Sequence, residues 1–264
     1  MDLAVVCERA IPVIKEAGAY IRSRQLAVKT LQINKKGVRD FVTEVDMQAE
    51  RFLVEHLHNI LPEAGFITEE KTIEQNRQAY NWVIDPLDGT MNFIHGIPLY
   101  SISVALQQGE EIVLGIVYEI VHDELFHTWL NNKSYCNGVE IHATVCAEMK
   151  DALIVTGFPY IRNDDRTTSL AAALKYFLDN GRDIRRLGTA ATDLCYIACG
   201  RMDIYYEGFL NIWDIAAGIL ILKNAGGVVV NFNGEAEFSS GNLVATNDVL
   251  LNQALAGVEM LRHL

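Results

Sequence analysis

The sequence predicts a layered protein of sheets and helices, α+β in its first half and α/β in its second. Half of its 264 residues are hydrophobic, enough to fill a large core. From Leu99 to Ile141 the text reads as strands and tight turns, and beyond about residue 145 strands and helices alternate. No repeat, low-complexity tract or linker interrupts it. Residues 1–264 are therefore expected to form one domain, with a subdomain seam near 145 between an antiparallel part (1–145) and an alternating part (146–264).

Leu3, Val6, Ala10, Ile14, Ala17 and Ile21 recur at helical spacing and predict an amphipathic helix over 3–24, with Pro12 a point of kinking. A second helix begins at Asp46, carries Ala49, Phe52, Leu53, Leu57 and Ile60 on one stripe, and ends at Pro62 and Gly65. A short strand, FIT, then meets Glu69 and Glu70. The next stretch, WVIDPLDGTMNF at 82–93, runs apolar for three residues and then delivers two aspartates separated by Pro-Leu. Taken alone, DPLDG is an ordinary passage from strand to turn. SISVALQQ, IVLGIVYEIV, ELFHTWL and SYCNGVEI follow as a meander, with Asn137-Gly138 marking a hairpin turn. The alternating part offers strand ALIVTGF, helices over 167–179 and 190–199, strand MDIYYEG, a helix over 213–225, strands GGVVVNF and NLVATN, and a last helix.

The formal charge of −12 argues against a general nucleic-acid surface, which needs clustered Lys and Arg. No long uncharged apolar run is present and MDLAVVCERA is acidic early, so the expectation is neither membrane span nor secretion signal, and a cytoplasmic location. Five cysteines, odd in number and without a CxxC pair, read as packing thiols.

The acidic residues hold the functional signal. Lys and Arg are missing between Arg77 and Lys133 and again between Arg201 and Lys223, yet both gaps contain acids flanked by apolar segments. Carboxylates gathered at the edge of a core push one another's pKa upward unless something positive neutralises them. A divalent cation does so economically, and hard carboxylate oxygens suit magnesium. Pro86 stiffens the backbone so that Asp85 and Asp88 bracket a small volume, the Leu87 carbonyl adds an oxygen, and Gly89 permits close approach. Free N–H groups at Gly89-Thr90 would then suit a phosphate. Each acid also has a plain alternative. Glu69-Glu70 reads as a solvated turn, Thr43 to Asp46 as a capping box, and Asp214 as a dipole-stabilising acid at a helix start.

Five segments in order give a specific signal: DFVTEVD at 40–46, ITEE at 67–70, WVIDPLDGTMNF at 82–93, GTAATDLCYIACGRMDIYYE at 188–207 and WDIAAGILILKNAGG at 213–227. In these the chain resembles the inositol monophosphatase family of magnesium-dependent, lithium-sensitive phosphatases across essentially its whole length. The resemblance implies a layered αβαβα sandwich, magnesium as cofactor (on the order of two or three ions), a small phosphate ester as substrate, and a homodimer. It implies that Glu69, Asp85, the Leu87 carbonyl, Asp88 and Asp214 bind metal, and that Asp46 and Thr90, with Glu69, serve the attacking water. Gly89 and Thr90 would receive phosphate, while Asp88, Ala190 and Glu207 would face the alcohol. Lys36, in the basic Lys35-Lys36 loop, matches a segment near the family's site. One departure is Thr68, where the family commonly has glycine before the acidic pair.

Hydrolysis of a phosphate ester by metal-activated water needs no side-chain nucleophile, and no GxSxG elbow is present. Asn92-Phe93 and Tyr205-Tyr206-Glu207 favour an inositol phosphate. Related branches act on fructose 1,6-bisphosphate, 3'-phosphoadenosine 5'-phosphate or histidinol phosphate, and a non-catalytic regulatory protein of the same fold is the alternative of another class.

Overall fold

The computed structural model describes residues 1–25, 33–35, 41–159 and 164–263. Lys36 lies outside the described residues. The chain opens with helix α1 (Leu3–Arg24), capped by Asp2, which accepts from the N–H groups of Ala4 and Val5; Pro12 sits within its span. Strands β1 (Ile33–Lys35) and β2 (Phe41–Thr43) form a small antiparallel pair. Helix α2 (Glu44–Ile60) starts two residues before the expected Asp46 and turns its apolar stripe inward.

Seven strands follow in one sheet, in sequence order: β3 (Gly65–Thr68), β4 (Tyr80–Asp88), β5 (Ser101–Gln108), β6 (Glu111–Glu119), β7 (Glu124–Trp129), β8 (Tyr135–Cys136) and β9 (Val139–Glu140). β3 runs parallel to β4 and every later neighbour is antiparallel. Asn137 and Gly138 both have positive φ, 48° and 80°, as the tight hairpin between β8 and β9 demands. A short helix, α3 (Thr90–His95), bridges β4 and β5.

The remainder builds a five-stranded sheet from β10 (Leu153–Thr156), β11 (Asp183–Arg185), β12 (Ile204–Glu207), β13 (Val228–Val230) and β14 (Leu243–Thr246), in the order β11-β10-β12-β14-β13. Its helices are α4 (Asp164–Asn180), α5 (Ala190–Ala198), α6 (Ile212–Asn224) and α7 (Leu251–Gly257).

Helices α1 and α2 pack on one face of the large sheet, while α5 and α6 lie between the two sheets. α4 and α7 cover the far side of the small sheet. The layers are thus αβαβα, as the resemblance implies. Three cores fill the spaces between the layers, the middle one shared by both sheets that enclose α5 and α6. Trp82 and Ile84 face α1 and α2, Val83 and Val117 meet Leu194 and Ile215, and Phe177 stacks on Tyr206 at 4.5 Å. The alternation of Trp82, Val83 and Ile84 between two apolar layers explains why β4 is apolar on both faces. Among the described residues no helix is long and apolar enough to cross a membrane.

Candidate active site

The acid pair is not a turn. β4 continues through Asp85-Pro86-Leu87-Asp88, and its pairing with β5 shifts register between Asp85, opposite Ser103, and Asp88, opposite Ser101. Proline donates no ladder hydrogen bond and is tolerated in a sheet only at an edge or irregularity such as this. The irregularity re-aims the strand end. Asp85 receives one N–H, from Leu87 at 2.9 Å, and the Leu87 carbonyl accepts from the Thr90 hydroxyl at 3.1 Å. Gly89 then turns the chain into α3 with φ +91°; a Cβ there would lie 3.3 Å from the Leu99 carbonyl and 3.4 Å from that of Gly188. Only glycine fits both demands.

Glu69 leaves the end of β3, and its N–H still pairs with the Ile84 carbonyl at 3.2 Å, so the acid emerges beside Asp85. Thr68, the departure from the family's glycine, is fully buried and satisfied by Gln75, which accepts from its N–H at 2.8 Å and donates to its hydroxyl at 3.1 Å. Asp88 reaches across to α5. Its Oδ2 accepts from the Thr189 hydroxyl at 2.5 Å and the Ala191 N–H at 2.8 Å, capping that helix from a remote strand. Asp214 takes the N–H of Asn211 at 2.6 Å in the capping box that opens α6.

These elements converge on one cavity of about 420 Å³. Its acidic floor is Glu69, Asp85, Leu87, Asp88, Gly89, Thr90 and Asp214; the rest of its wall includes Ala190, Glu207, Phe209, Arg166 and Arg186. Asp46, 2% exposed, sits close enough to raise the Glu69 pKa but is not part of the lining. Every metal and substrate residue expected from the sequence, Asp46 apart, therefore faces a shared space.

Burial is the largest cause of raised carboxyl pKa values throughout this floor. Glu69 is pushed well up by burial and then by Asp214 and Glu70; Asp85 is pushed well up by burial and then by Glu69 and Asp88. The two carboxyl groups face each other, and each disfavours the other's charged form. Asp214 rises to about 8 through burial and Asp88, while Asp88 rises to about 6 through burial, held back by Thr189 and Ala191. Glu207 rises to about 7 by burial, partly offset by the Tyr205 hydroxyl, which donates at 2.7 Å, and by Arg186.

This donor set fits divalent cations. Four oxygen-bearing acids crowd the floor with too few hydrogen-bond donors, and cations would neutralise what now repels. Among the described residues no three His, Cys, Asp or Glu side chains close on one point as a ready cage. The spread floor suits a cation that keeps water and takes one or two carboxylates.

Several residues of the site escape sequence reasoning. Arg166 and Arg186 are far from the acids in sequence, though the run without Lys or Arg suggested no cation nearby. Arg166 stacks over the Phe209 ring at 4.2 Å, and Phe209 itself has φ +67°. Gly157 lies so close under Glu207 that a Cβ would sit 2.0 Å from its Oε2. Asp193, 1% exposed, has an Oδ1 without a hydrogen-bond partner behind this wall. The strand-end position of Gly157 was the available signal. The thiols are mundane: all five are free, and burial raises Cys7 to about 12 and Cys136 to about 11.

Fold and pocket together define an αβαβα sandwich with an acid-floored site. The chain belongs to the inositol monophosphatase family, whose model matches residues 2–261. It is 36% identical over 234 residues to an inositol-1-monophosphatase of Mesorhizobium japonicum, covering 88% of each chain. It is 34% identical to the Nus factor SuhB of Haemophilus influenzae, over 93% of this chain and 92% of that one. Among solved structures, the extragenic suppressor protein suhB from Bartonella henselae superposes with TM-score 0.92 at 32% identity, over 97% of this chain and 98% of that one. An IMPase from Thermotoga maritima does so with TM-score 0.87 at 30% identity, over 100% and 99%.

Proposed function

We propose that this protein is a magnesium-dependent phosphomonoesterase that hydrolyses inositol monophosphate to inositol and phosphate. The convergence of Glu69, Asp85, Asp88 and Asp214 on one cavity that Glu207 also lines carries the reading. Bound magnesium would supply positive charge to the phosphate and the departing alkoxide and would lower the pKa of water. Glu69, Asp85, the Leu87 carbonyl, Asp88 and Asp214 are the groups that would hold it. The N–H groups of Gly89 and Thr90 would take phosphate oxygens. The Thr90 hydroxyl, with Asp46 behind Glu69, would orient the attacking water. Asp88, fixed by Thr189 and Ala191, keeps one oxygen for the pocket. Glu207, steadied by Tyr205, would accept from hydroxyls of the alcohol, with the first residue of α5, Ala190, beside it.

Relatives named inositol-1-monophosphatase favour the inositol ester. Others carry the name Nus factor SuhB, which makes a non-catalytic role the second reading. Retention of the whole acid floor favours catalysis, because a scaffold has no use for carboxylates that repel one another. Phosphate release is to be measured with inositol 1-phosphate, fructose 1,6-bisphosphate, 3'-phosphoadenosine 5'-phosphate and histidinol phosphate, each with magnesium and with chelator. The expected outcome is turnover fastest on inositol 1-phosphate, abolished by chelation, reduced by excess calcium and sensitive to lithium. Full turnover in chelator sinks the metal reading, and no turnover on any ester favours the non-catalytic one. The proposal includes a homodimer, to be seen in sedimentation equilibrium as twice the chain mass.

A further inference from the structure

Glu50 has no role in the function proposed above, yet its carboxylate accepts three hydrogen bonds beside the pocket. It lies on α2 one turn after Asp46 and is 0% exposed. Its Oε2 accepts from the Glu70 N–H at 2.7 Å. Its Oε1 accepts from the Thr72 N–H at 2.7 Å and from the Thr72 hydroxyl at 2.7 Å. The three donors belong to the turn that begins immediately after Glu69. Between them sits Lys71, with φ +51°, a left-handed conformation that a lysine adopts only when its surroundings impose it.

The geometry explains why a carboxylate is needed. The chain leaves β3 at Thr68, must present Glu69 to the cavity, and must then turn back along α2 within a few residues. That turn aims the N–H groups of Glu70 and Thr72 at one buried point. A glutamate offers acceptors in both directions at once, whereas a glutamine has a single acceptor oxygen and would set its NH₂ against one of the donors. Gln75 secures the other end of the same loop through Thr68.

We propose that Glu50 is a positioning residue for the cation site: by gripping the turn at Glu70 and Thr72 it holds the Glu69 carboxylate against Asp85 at the pocket floor. The proposal rests on the reading of Glu69 and Asp85 as cation ligands. It assigns the buried face of α2 a share in setting cation affinity, through a group that touches neither cation nor substrate.

The test is calorimetric titration of the full-length protein with Mg²⁺ alone, no substrate present, for the wild type, Glu50→Gln and Thr72→Val, alongside thermal unfolding in chelator. Outer partners of metal ligands typically contribute tenfold or more to affinity, so Glu50→Gln is expected to weaken Mg²⁺ binding about tenfold. Thr72→Val, which removes one neutral donor of the three, is expected to weaken it about threefold. A merely structural role would lower the unfolding temperature and leave the Mg²⁺ affinity of the folded protein unmoved. Folded Glu50→Gln with wild-type affinity overturns the proposal. If Glu50→Gln does not fold, folded Thr72→Val with wild-type affinity overturns it instead. A wild type that binds Mg²⁺ but releases phosphate from no ester sinks the phosphatase reading and leaves this inference standing, whereas a wild type that binds no Mg²⁺ removes both.

Discussion

Glu119 ends β6 and Asp85 lies near the end of β4, two strands away on the same sheet, and both are almost wholly buried, at 0% and 2% exposed. Glu119 is surrounded by donors: the N–H groups of Val121 and His122 at 3.1 and 2.7 Å, and the His122 ring at 2.9 Å. Asp85 has a single N–H and otherwise faces the carboxyl of Glu69. One acid closes a turn and is satisfied by the protein; the other is left short of positive partners. Burying a carboxylate without partners is costly, so a chain that does so repeatedly in one cavity is built around something it does not itself contain. The row Asp88, Ser101, Glu119 runs straight across β4, β5 and β6, so acids of both kinds occupy one line of the sheet. Their different surroundings, not their positions in the sheet, set them apart.

The contrast breaks most sharply at Asp88. Asp88→Asn keeps an oxygen able to accept from Ala191 and so should retain the fold, monitored by circular dichroism. Turnover should fall by at least about 100-fold, the scale lost with a transition-state electrostatic contact. Near-normal turnover in the folded variant would reduce Asp88 to a helix cap.

A step smaller, the two walls of the cavity separate. Glu207→Gln removes a charged acceptor facing the alcohol, so the ratio of kcat/KM between inositol 1-phosphate and a small unrelated phosphate ester should change by about ten- to hundredfold. Magnesium dependence should persist. Gly157→Ala, whose new methyl must displace the Glu207 carboxylate, should move the same ratio in the same direction. Equal losses on both esters would place Glu207 in the shared phosphate chemistry.

The open acids also leave a mark on stability. The folded-state pKa values of Asp214 and Glu207, about 8 and about 7, stand above those of unfolded carboxylates. Between the two states' values these groups bind more protons in the folded chain than in the unfolded one, so the stability they contribute is fully present at low pH and is lost as pH rises through the folded values. In chelator, the unfolding temperature should drop by several degrees between pH 5 and pH 9. Saturating magnesium should flatten that slope. An equal slope with and without magnesium would mean that the cation does not meet Asp214.

The smallest effect on chemistry belongs to the satisfied acid. Glu119→Gln should cost about 1.5 to 3 kcal/mol of stability through its lost charged hydrogen bonds, measured by denaturant unfolding, with kcat and magnesium affinity unchanged.

Much of the fold is legible in the sequence because its signals are local. Helical spacing places α1 and α6, alternation and Asn137-Gly138 place the meander, and Pro62 with Gly65 ends α2. What stayed hidden depends on distant neighbours. DPLDG reads as a turn, yet β5 pairs with Asp85 and Asp88 across a register shift and keeps the segment in the sheet. β11, three residues after α4, has no pattern of its own and exists because β10 is beside it. The acids of the floor were visible one by one, each with a plain alternative, and the family resemblance joined them. Arg166, Arg186 and Glu50 reach the site only through packing, so no spacing in the chain announces them.

The central claim is that the acids at the floor form a cation site. It is tested most directly by the anomalous-difference map of a crystal grown with manganese, an oxygen-preferring substitute for magnesium. The account predicts peaks within coordination distance of Glu69, Asp85 and Asp214 and none beside Glu119. A cavity without such a peak would contradict it.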